Sequence, residues 1–95
     1  MDWYQAASPE HQKKERNKAR EMRKSAWWKN QLGKGVCHYC EGRFSPSDLT
    51  MDHRQPIARG GVTSKSNVVP ACKACNTEKQ SKTASEFALS QVSTV

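Results

Sequence analysis

Four cysteines in two matched pairs are the residues whose spacing most directly predicts chemistry in this sequence. The pairs are Cys37–Cys40 and Cys72–Cys75. Two thiolates that are two residues apart on a tight turn can both reach one metal ion, so two such pairs predict a single tetrahedral zinc site. Disulfide or redox chemistry is the less favoured interpretation, because the pairs are matched and no βαβ pattern surrounds either of them.

Polar residues of another kind lie between and directly after these pairs. Asp52 and His53 end an alternating segment, Asn67 precedes a short apolar one, and Asn76 follows the second cysteine pair. Carboxylate and amide oxygens are hard ligands that suit Mg²⁺ or Mn²⁺. A histidine beside them that does not bind the metal can act as general base near neutral pH. Together with Lys79, which shares a helix face with Asn76, these residues are sufficient for phosphodiester hydrolysis.

Short elements must position these residues. Residues 49–53 alternate in polarity and predict a strand, and residues 68–69 predict a second strand that Pro70 ends. Residues 71–82 are compatible with a helix whose first turn carries the second cysteine pair. A capping-box pattern at residues 83–86 then predicts a further short helix. Two strands and a helix joined by zinc would bring the separate polar residues together.

The N-terminal segment of residues 8–31 carries most of the net positive charge and predicts one long helix. Residues 8–31 contain eight Lys or Arg and three Glu, and Ser8 is the predicted N-cap. An apolar stripe begins only at Ala19, so we expect this helix to pack by its C-terminal half and to project its basic N-terminal half. His11 is expected to be solvated. A DNA contact and a charged, frayed tail are both compatible with this composition.

Length and composition limit what the chain can be. Its 95 residues, of which 35% are hydrophobic, make one small domain with a marginal core, in which at least one of Trp27 and Trp28 is expected to be buried. The net charge of +7 favours an anionic partner, most simply nucleic acid, over a merely solvated basic surface. No apolar run could cross a bilayer and no signal peptide is evident, which predicts no membrane association and a cytoplasmic location.

The order of these motifs resembles that of the zinc-containing HNH endonucleases. The matching string covers about residues 36–89 and consists of Cys37-x-x-Cys40, Met51-Asp52-His53, Asn67 and Cys72-x-x-Cys75-Asn76-x-x-Lys79. The resemblance implies a small ββα-metal domain, an α+β fold in which the four cysteines hold the structural zinc. We therefore divide the chain into a basic N-terminal helical extension, residues 1–32, and an HNH nuclease domain, residues 33–95, that ends in a short helix.

The resemblance also implies roles for individual residues. Asp52 and Asn76 would hold the catalytic Mg²⁺ or Mn²⁺, His53 would be the general base, and Asn67 would fix the loop and orient His53. Many members of the family have a histidine where this chain has Asn76. Asparagine ligates through its side-chain oxygen, so the chain is interpreted as a His-Asn-Asn variant. Products with 5′-phosphate and 3′-hydroxyl ends are implied by the chemistry of the family.

The predicted function is therefore that of a metal-dependent DNA endonuclease, with DNA favoured over RNA as substrate. Lys79, Arg59 and Arg54 are the predicted substrate-binding residues, since each is a cation close to the predicted site. The alternative is a zinc-stabilised nucleic-acid-binding module that has the fold but no activity. The sequence predicts no particular oligomeric state.

Overall fold

The computed structural model describes residues 7–80 and 82–92 of the chain, and two helices there precede a two-stranded sheet that two further helices follow. The bounds are α1 Pro9–Arg23, α2 Ala26–Gly33, β1 Leu49–His53, β2 Val68–Cys72, α3 Lys73–Lys79 and α4 Ala84–Val92. The predicted α+β fold of ββα type is confirmed, with β1, β2 and α3 as its three elements. The domain boundary after residue 32 stays a prediction.

The two strands pair antiparallel, with Met51 opposite Pro70. The prediction that Pro70 ends the second strand was wrong, because β2 continues to Cys72. The Arg54 N–H donates to the Asn67 carbonyl oxygen at 2.7 Å just beyond the paired strands. Since hydrogen-bonded and non-hydrogen-bonded pairs alternate along an antiparallel ladder, Pro70 falls at a non-hydrogen-bonded position. Its missing N–H therefore removes no bond between the strands.

The single helix predicted over residues 8–31 is two helices in the structure. Ser25 lies between them, accepts from the Trp28 N–H at 3.1 Å and donates its hydroxyl to the Met22 carbonyl oxygen at 2.7 Å. A serine that caps a new helix in this way ends the preceding one. The break places Trp28 in the core at 2% exposure, which confirms the prediction that at least one of the two tryptophans is buried.

The N-terminal half of α1 is packed against the rest of the protein, so the prediction that it projects into solvent was wrong. Glu15 is 2% exposed, and its Oε1 accepts from the Thr63 N–H at 2.6 Å. His11, which was expected to be solvated, is half-buried, and its Nε2–H donates to the Gly61 carbonyl oxygen at 2.9 Å. Ser8 does cap the helix, as predicted. Hydrogen bonds rather than apolar contacts hold this half of α1 against the rest of the protein, so the pattern of apolar residues did not predict this packing.

The buried apolar residues form two clusters, and Leu32 packs against both. The first cluster joins α1, α2 and the sheet through Ala19, Trp28, Met51 and Val68. The second surrounds the cysteine pairs and consists of Cys37, Leu49, Ala71 and Cys72. Clusters of this size leave a small domain dependent on further stabilisation, which a metal bound by the cysteines would supply. None of the helices in the described part of the chain is long and apolar enough to span a membrane.

Candidate active site

The four cysteines converge from the loop before β1 and from the junction of β2 with α3. Their sulfur atoms all lie within 4.8 Å of one another. Cys72 is the N-cap of α3, and its sulfur accepts from the Cys75 N–H at 3.4 Å. In the first pair, the Cys37 sulfur accepts from the Tyr39 N–H, also at 3.4 Å. Backbone N–H groups directed at sulfur stabilise thiolates, the form that binds metal.

The chemistry of this donor set fits zinc. The Cys40 and Cys72 sulfur atoms are 4.0 Å apart, too far for a disulfide bond. The separation is close to the ~3.8 Å expected between two thiolates on a tetrahedral zinc with bonds of ~2.3 Å. Burial acts to raise the pKa of Cys37, but hydrogen bonds to its sulfur outweigh burial and lower that pKa to about 7. The predicted convergence of the four cysteines is thus confirmed, and the cluster is suited to hold a structural zinc ion.

Asp52 lies on the face of β1 that packs against α3, where it forms a buried ion pair. Its Oδ2 is 3.2 Å from Lys79 Nζ and accepts from the Tyr39 hydroxyl at 2.5 Å. Asp52 is 5% exposed and Lys79 is 0% exposed. Burial, followed by the hydrogen bond to Asp52, raises the pKa of Tyr39, so this hydroxyl stays protonated and donates. The phosphate contact of Lys79 stays a prediction, and in this arrangement Asp52 engages its ammonium group.

His53 emerges on the opposite face of β1, because neighbouring residues of a strand alternate between faces. Its Nε2 lies 2.9 Å from the Thr63 hydroxyl, and the ring is half-buried. Burial lowers the pKa of His53, the Asp52 carboxylate opposes this shift, and the positive charge of Arg23 adds to it. Burial therefore favours the neutral imidazole, the form that can accept a proton as a general base must. The side chains of Asp52 and His53 thus do not share a face of the sheet.

Asn76 on α3 approaches the sheet from the same side as Asp52. Its Nδ2 donates to the Thr50 hydroxyl at 2.9 Å, and Thr50 and Asp52 share a strand face. Together with Arg23 and Thr50, Asn76 lines a cavity of about 440 Å³. An amide oxygen and a carboxylate are donors that fit a hard divalent cation. A carboxylate has about four lone-pair sites, so Asp52 keeps capacity for an ion beyond the two partners described above.

Asn67 fixes the loop that joins β1 to β2. Its Oδ1 accepts from the Gln55 N–H at 2.9 Å, while its Nδ2 donates to the carbonyl oxygens of Gln55 at 3.1 Å and Val62 at 2.7 Å. In the same loop, a Cβ atom on Gly61 would lie 1.8 Å from the Gln55 carbonyl oxygen, so no side chain fits there. These contacts agree with the loop-fixing role that the family resemblance implied for Asn67, and its effect on catalysis stays a prediction.

The two arginines predicted to bind substrate differ in their surroundings. Arg54 is exposed and lines, with Asn67 and Thr83, a cavity of about 230 Å³. Arg59 pairs with Glu86 of α4 at 2.5 Å, and Glu86 also accepts from the Thr83 N–H in the predicted capping box. These contacts hold α4 against the loop. A phosphate that reached Arg59 would therefore compete with Glu86.

Four residues at the site were not predicted from the sequence: Glu15, Arg23, Tyr39 and Thr63. Glu15 carried a usable signal, because it lies four residues before Ala19 and so continues the apolar face of α1. Nothing in the local pattern marks the other three, since each is defined by a partner that is distant in the sequence.

Comparison with known protein families agrees with this geometry. The HNH endonuclease family matches residues 37–82. The matched range begins at the first cysteine of the metal site and contains both strands and α3, whereas α1, α2 and α4 lie outside it. The comparison with curated proteins found no match.

Proposed function

Because residues 37–82 match the HNH endonuclease family, we propose that the protein is a metal-dependent endonuclease that hydrolyses phosphodiester bonds in DNA. The observation that carries this proposal is the state of His53. Its Nε2 lies 2.9 Å from the Thr63 hydroxyl, the other ring nitrogen can accept a proton, and burial favours the neutral ring by lowering its pKa. Such a group is suited to activate a water molecule.

In this proposal, His53 removes a proton from the attacking water. Arg23 lines the cavity beside Asn76, and its charge reaches His53, so it is suited to contact the scissile phosphate. Asp52 and Asn76 would hold a Mg²⁺ or Mn²⁺ ion, which when bound supplies positive charge opposite the developing charge on phosphate and leaving oxygen. Lys79 donates to the His53 carbonyl oxygen at 3.0 Å and thereby keeps the end of β1 in place.

A groove beside α1, lined by four lysines and two glutamates, supports nucleic acid as the partner. It encloses about 980 Å³, and Thr63, which contacts His53, is part of its lining. The side chains suited to nucleic acid in this groove are Trp27, Lys13, Lys14, Lys18 and Lys65. Lysines attract phosphates without regard to base sequence, and an indole ring stacks on an unpaired base. We propose that the bound DNA strand runs from His53 along this groove.

A pair of matched charge variants tests the groove. The groove variant replaces Lys13, Lys14 and Lys65 by Gln. The control variant replaces Lys24, Lys29 and Lys34 by Gln, because these lysines are exposed and do not line the groove. Each phosphate contact adds about 0.9 to the slope of log affinity against log salt, so the groove variant should lose up to about 2.7 from that slope. Equal slopes for the two variants would exclude the groove as the DNA path.

Plasmid relaxation by zinc-loaded protein with Mg²⁺ or Mn²⁺ tests the activity itself. We expect nicking by the wild type, no nicking when EDTA is present, and loss of nicking with retained folding and DNA binding in His53→Ala. His38→Ala is the matched control, because His38 is an exposed histidine outside the groove lining whose ring packs edge-on against Tyr39. Full activity in His53→Ala would refute His53 as the base.

The alternative is a zinc-stabilised nucleic-acid-binding module without activity. The observation that favours it is the ion pair with Lys79, which already engages Asp52. This alternative predicts DNA binding by folded, zinc-loaded wild type and no cleavage with any divalent ion. Competition between DNA and RNA at fixed salt separates the proposed substrate from an RNA substrate.

A further inference from the structure

Thr63 links the N-terminal helix to the histidine. Its hydroxyl oxygen lies 2.9 Å from the Glu15 carbonyl oxygen and 2.9 Å from His53 Nε2. A carbonyl oxygen can only accept, so the single hydroxyl proton of Thr63 is directed at Glu15. The Thr63 oxygen must then accept from His53. This assignment places the ring proton on Nε2 and the lone pair on Nδ1.

Glu15 holds Thr63 at two points. Besides the bond from the hydroxyl to the Glu15 carbonyl oxygen, the Glu15 carboxylate accepts from the Thr63 N–H at 2.6 Å. Lys18 Nζ lies 3.2 Å from the second carboxylate oxygen and balances its charge. At 2% exposure, the Glu15 side chain has no room to change its conformation without breaking these bonds. The position of Thr63, and hence of the His53 ring, is therefore defined by α1.

We propose that Glu15 and Thr63 are positioning residues for His53, and that His53 Nδ1 is the atom that takes the proton from water. The catalytic part of this inference rests on the proposed endonuclease function. In the step concerned, an O–H bond of water breaks, Nδ1–H forms, and the oxygen that keeps the electron pair attacks phosphorus. The bond from phosphorus to the leaving 3′-oxygen then breaks, and its electron pair stays on that oxygen, which takes up a proton from solvent. His53 then carries a proton on both nitrogens, and Nε2–H continues to donate to Thr63. Because this bond is present before and after proton transfer, Thr63 need not reorient during the reaction.

This arrangement gives α1 a second role besides lining the groove. The helix lies outside the residues that match the family, yet its one buried carboxylate controls the loop that holds the general base. A substitution in α1 that breaks the contacts between Glu15 and Thr63 should therefore lower the rate of cleavage even when DNA affinity is unchanged.

Nitrogen-15 NMR of zinc-loaded wild type tests the tautomer without any need for activity. We expect His53 Nε2 to be protonated, Nδ1 to be unprotonated, and the Nε2 proton to give a signal protected from exchange. Thr63→Val removes the acceptor at nearly constant volume and should abolish that protected signal. Thr63→Ser should retain it, and so should the control Ser66→Ala, whose hydroxyl contacts Ser64 in the same loop.

Cleavage kinetics test the positioning role. Thr63→Val should lower kcat by about 10–100-fold, the usual effect of removing a partner that orients a functional histidine, while KM and zinc content stay unchanged. Thr63→Ser should restore kcat. Glu15→Gln keeps an acceptor for the Thr63 N–H and should retain most activity, whereas Glu15→Leu should behave like Thr63→Val.

The two proposals fail in different ways. A wild type that never cleaves DNA refutes the endonuclease, and the NMR measurement then still decides the tautomer and its dependence on Thr63. A proton on Nδ1 in the wild type, or a protected Nε2 proton that survives in Thr63→Val, overturns the inference. An active wild type whose Thr63→Val variant keeps its full kcat also overturns it and leaves the endonuclease standing.

Discussion

Replacing Lys79 by methionine should destabilise the protein strongly, because the Asp52 carboxylate would stay buried without its cation. Lys79 Nζ lies 3.2 Å and 3.4 Å from the two Asp52 oxygens and 3.0 Å from the His53 carbonyl oxygen. Methionine is unbranched and flexible, so it can fill the space of the lysine stem. The substitution therefore removes the charge and its hydrogen bonds while leaving most of the packing.

The expected loss of unfolding free energy follows from burial of both partners. Removing one member of a buried ion pair costs about 3–5 kcal/mol, because the other charge is left uncompensated. Asp52 would keep the hydrogen bond from Tyr39, so we expect a value near the lower limit, about 3 kcal/mol. At about 4–8 °C per kcal/mol for a domain of this size, Tm should fall by roughly 12–24 °C.

Urea unfolding and thermal melting of zinc-loaded protein, followed by tryptophan fluorescence, measure this effect. Lys34→Met is the matched control, since Lys34 is exposed at the end of α2 and should change Tm little. The double variant Asp52→Leu with Lys79→Met should recover much of the loss, because no unpaired charge remains. A Lys79→Met protein that melts like the wild type would refute the ion pair as a stabilising contact.

Two further predictions concern the metal site and the N-terminal helix. Cys72→Ser should abolish stoichiometric zinc binding and lower Tm, because the metal joins the two cysteine pairs, and a variant that keeps one zinc and the wild-type Tm would exclude the four-cysteine site. The pKa of Glu15 is lowered, mainly by the hydrogen bond from the Thr63 N–H. Ionised Glu15 therefore stabilises the folded state at pH values above its unfolded-state pKa of about 4.3. This contribution is lost as pH falls through the lower folded-state pKa. The difference in unfolding free energy between wild type and Glu15→Gln, measured with urea, should therefore shrink between neutral and strongly acidic pH, and a difference that does not change with pH would contradict the assignment.

The parts of the fold that were predicted correctly depend on contacts between residues close in the sequence. The capping box is the clearest example: the Thr83 N–H donates to Glu86, and the Glu86 N–H donates back to the Thr83 hydroxyl. The N-cap of α1 at Ser8 and the placement of Cys72 in the first turn of α3 are of the same kind. Such contacts span three residues, so backbone geometry alone brings the partners together.

Two of the errors concerned positions where a local rule was overridden by a neighbour from elsewhere in the chain, whereas the third was a local cap at Ser25 that the prediction missed. Pro70 was predicted to end a strand, but the pairing register places it where the sheet needs no N–H. The helix over residues 8–31 was predicted to be continuous, but Ser25 ends α1 and turns Trp28 into the core. Composition predicted that the basic segment is solvated. Composition cannot indicate that one residue of the segment, Glu15, is buried.

The sequence by itself determined the convergence of the four cysteines and the strand that ends in Asp52 and His53, and it predicted the type of chemistry, because residue identity and short spacing are sufficient for each. Only the tertiary structure decided which groups hold these residues. Asp52 and Lys79 are 27 residues apart, and Glu15 and Thr63 are 48 apart. Contacts over such separations form when packed elements meet, and no periodicity along the chain encodes them. For that reason the histidine could be identified from its neighbours in sequence, whereas its orientation and tautomer depend on a helix that begins more than forty residues before it.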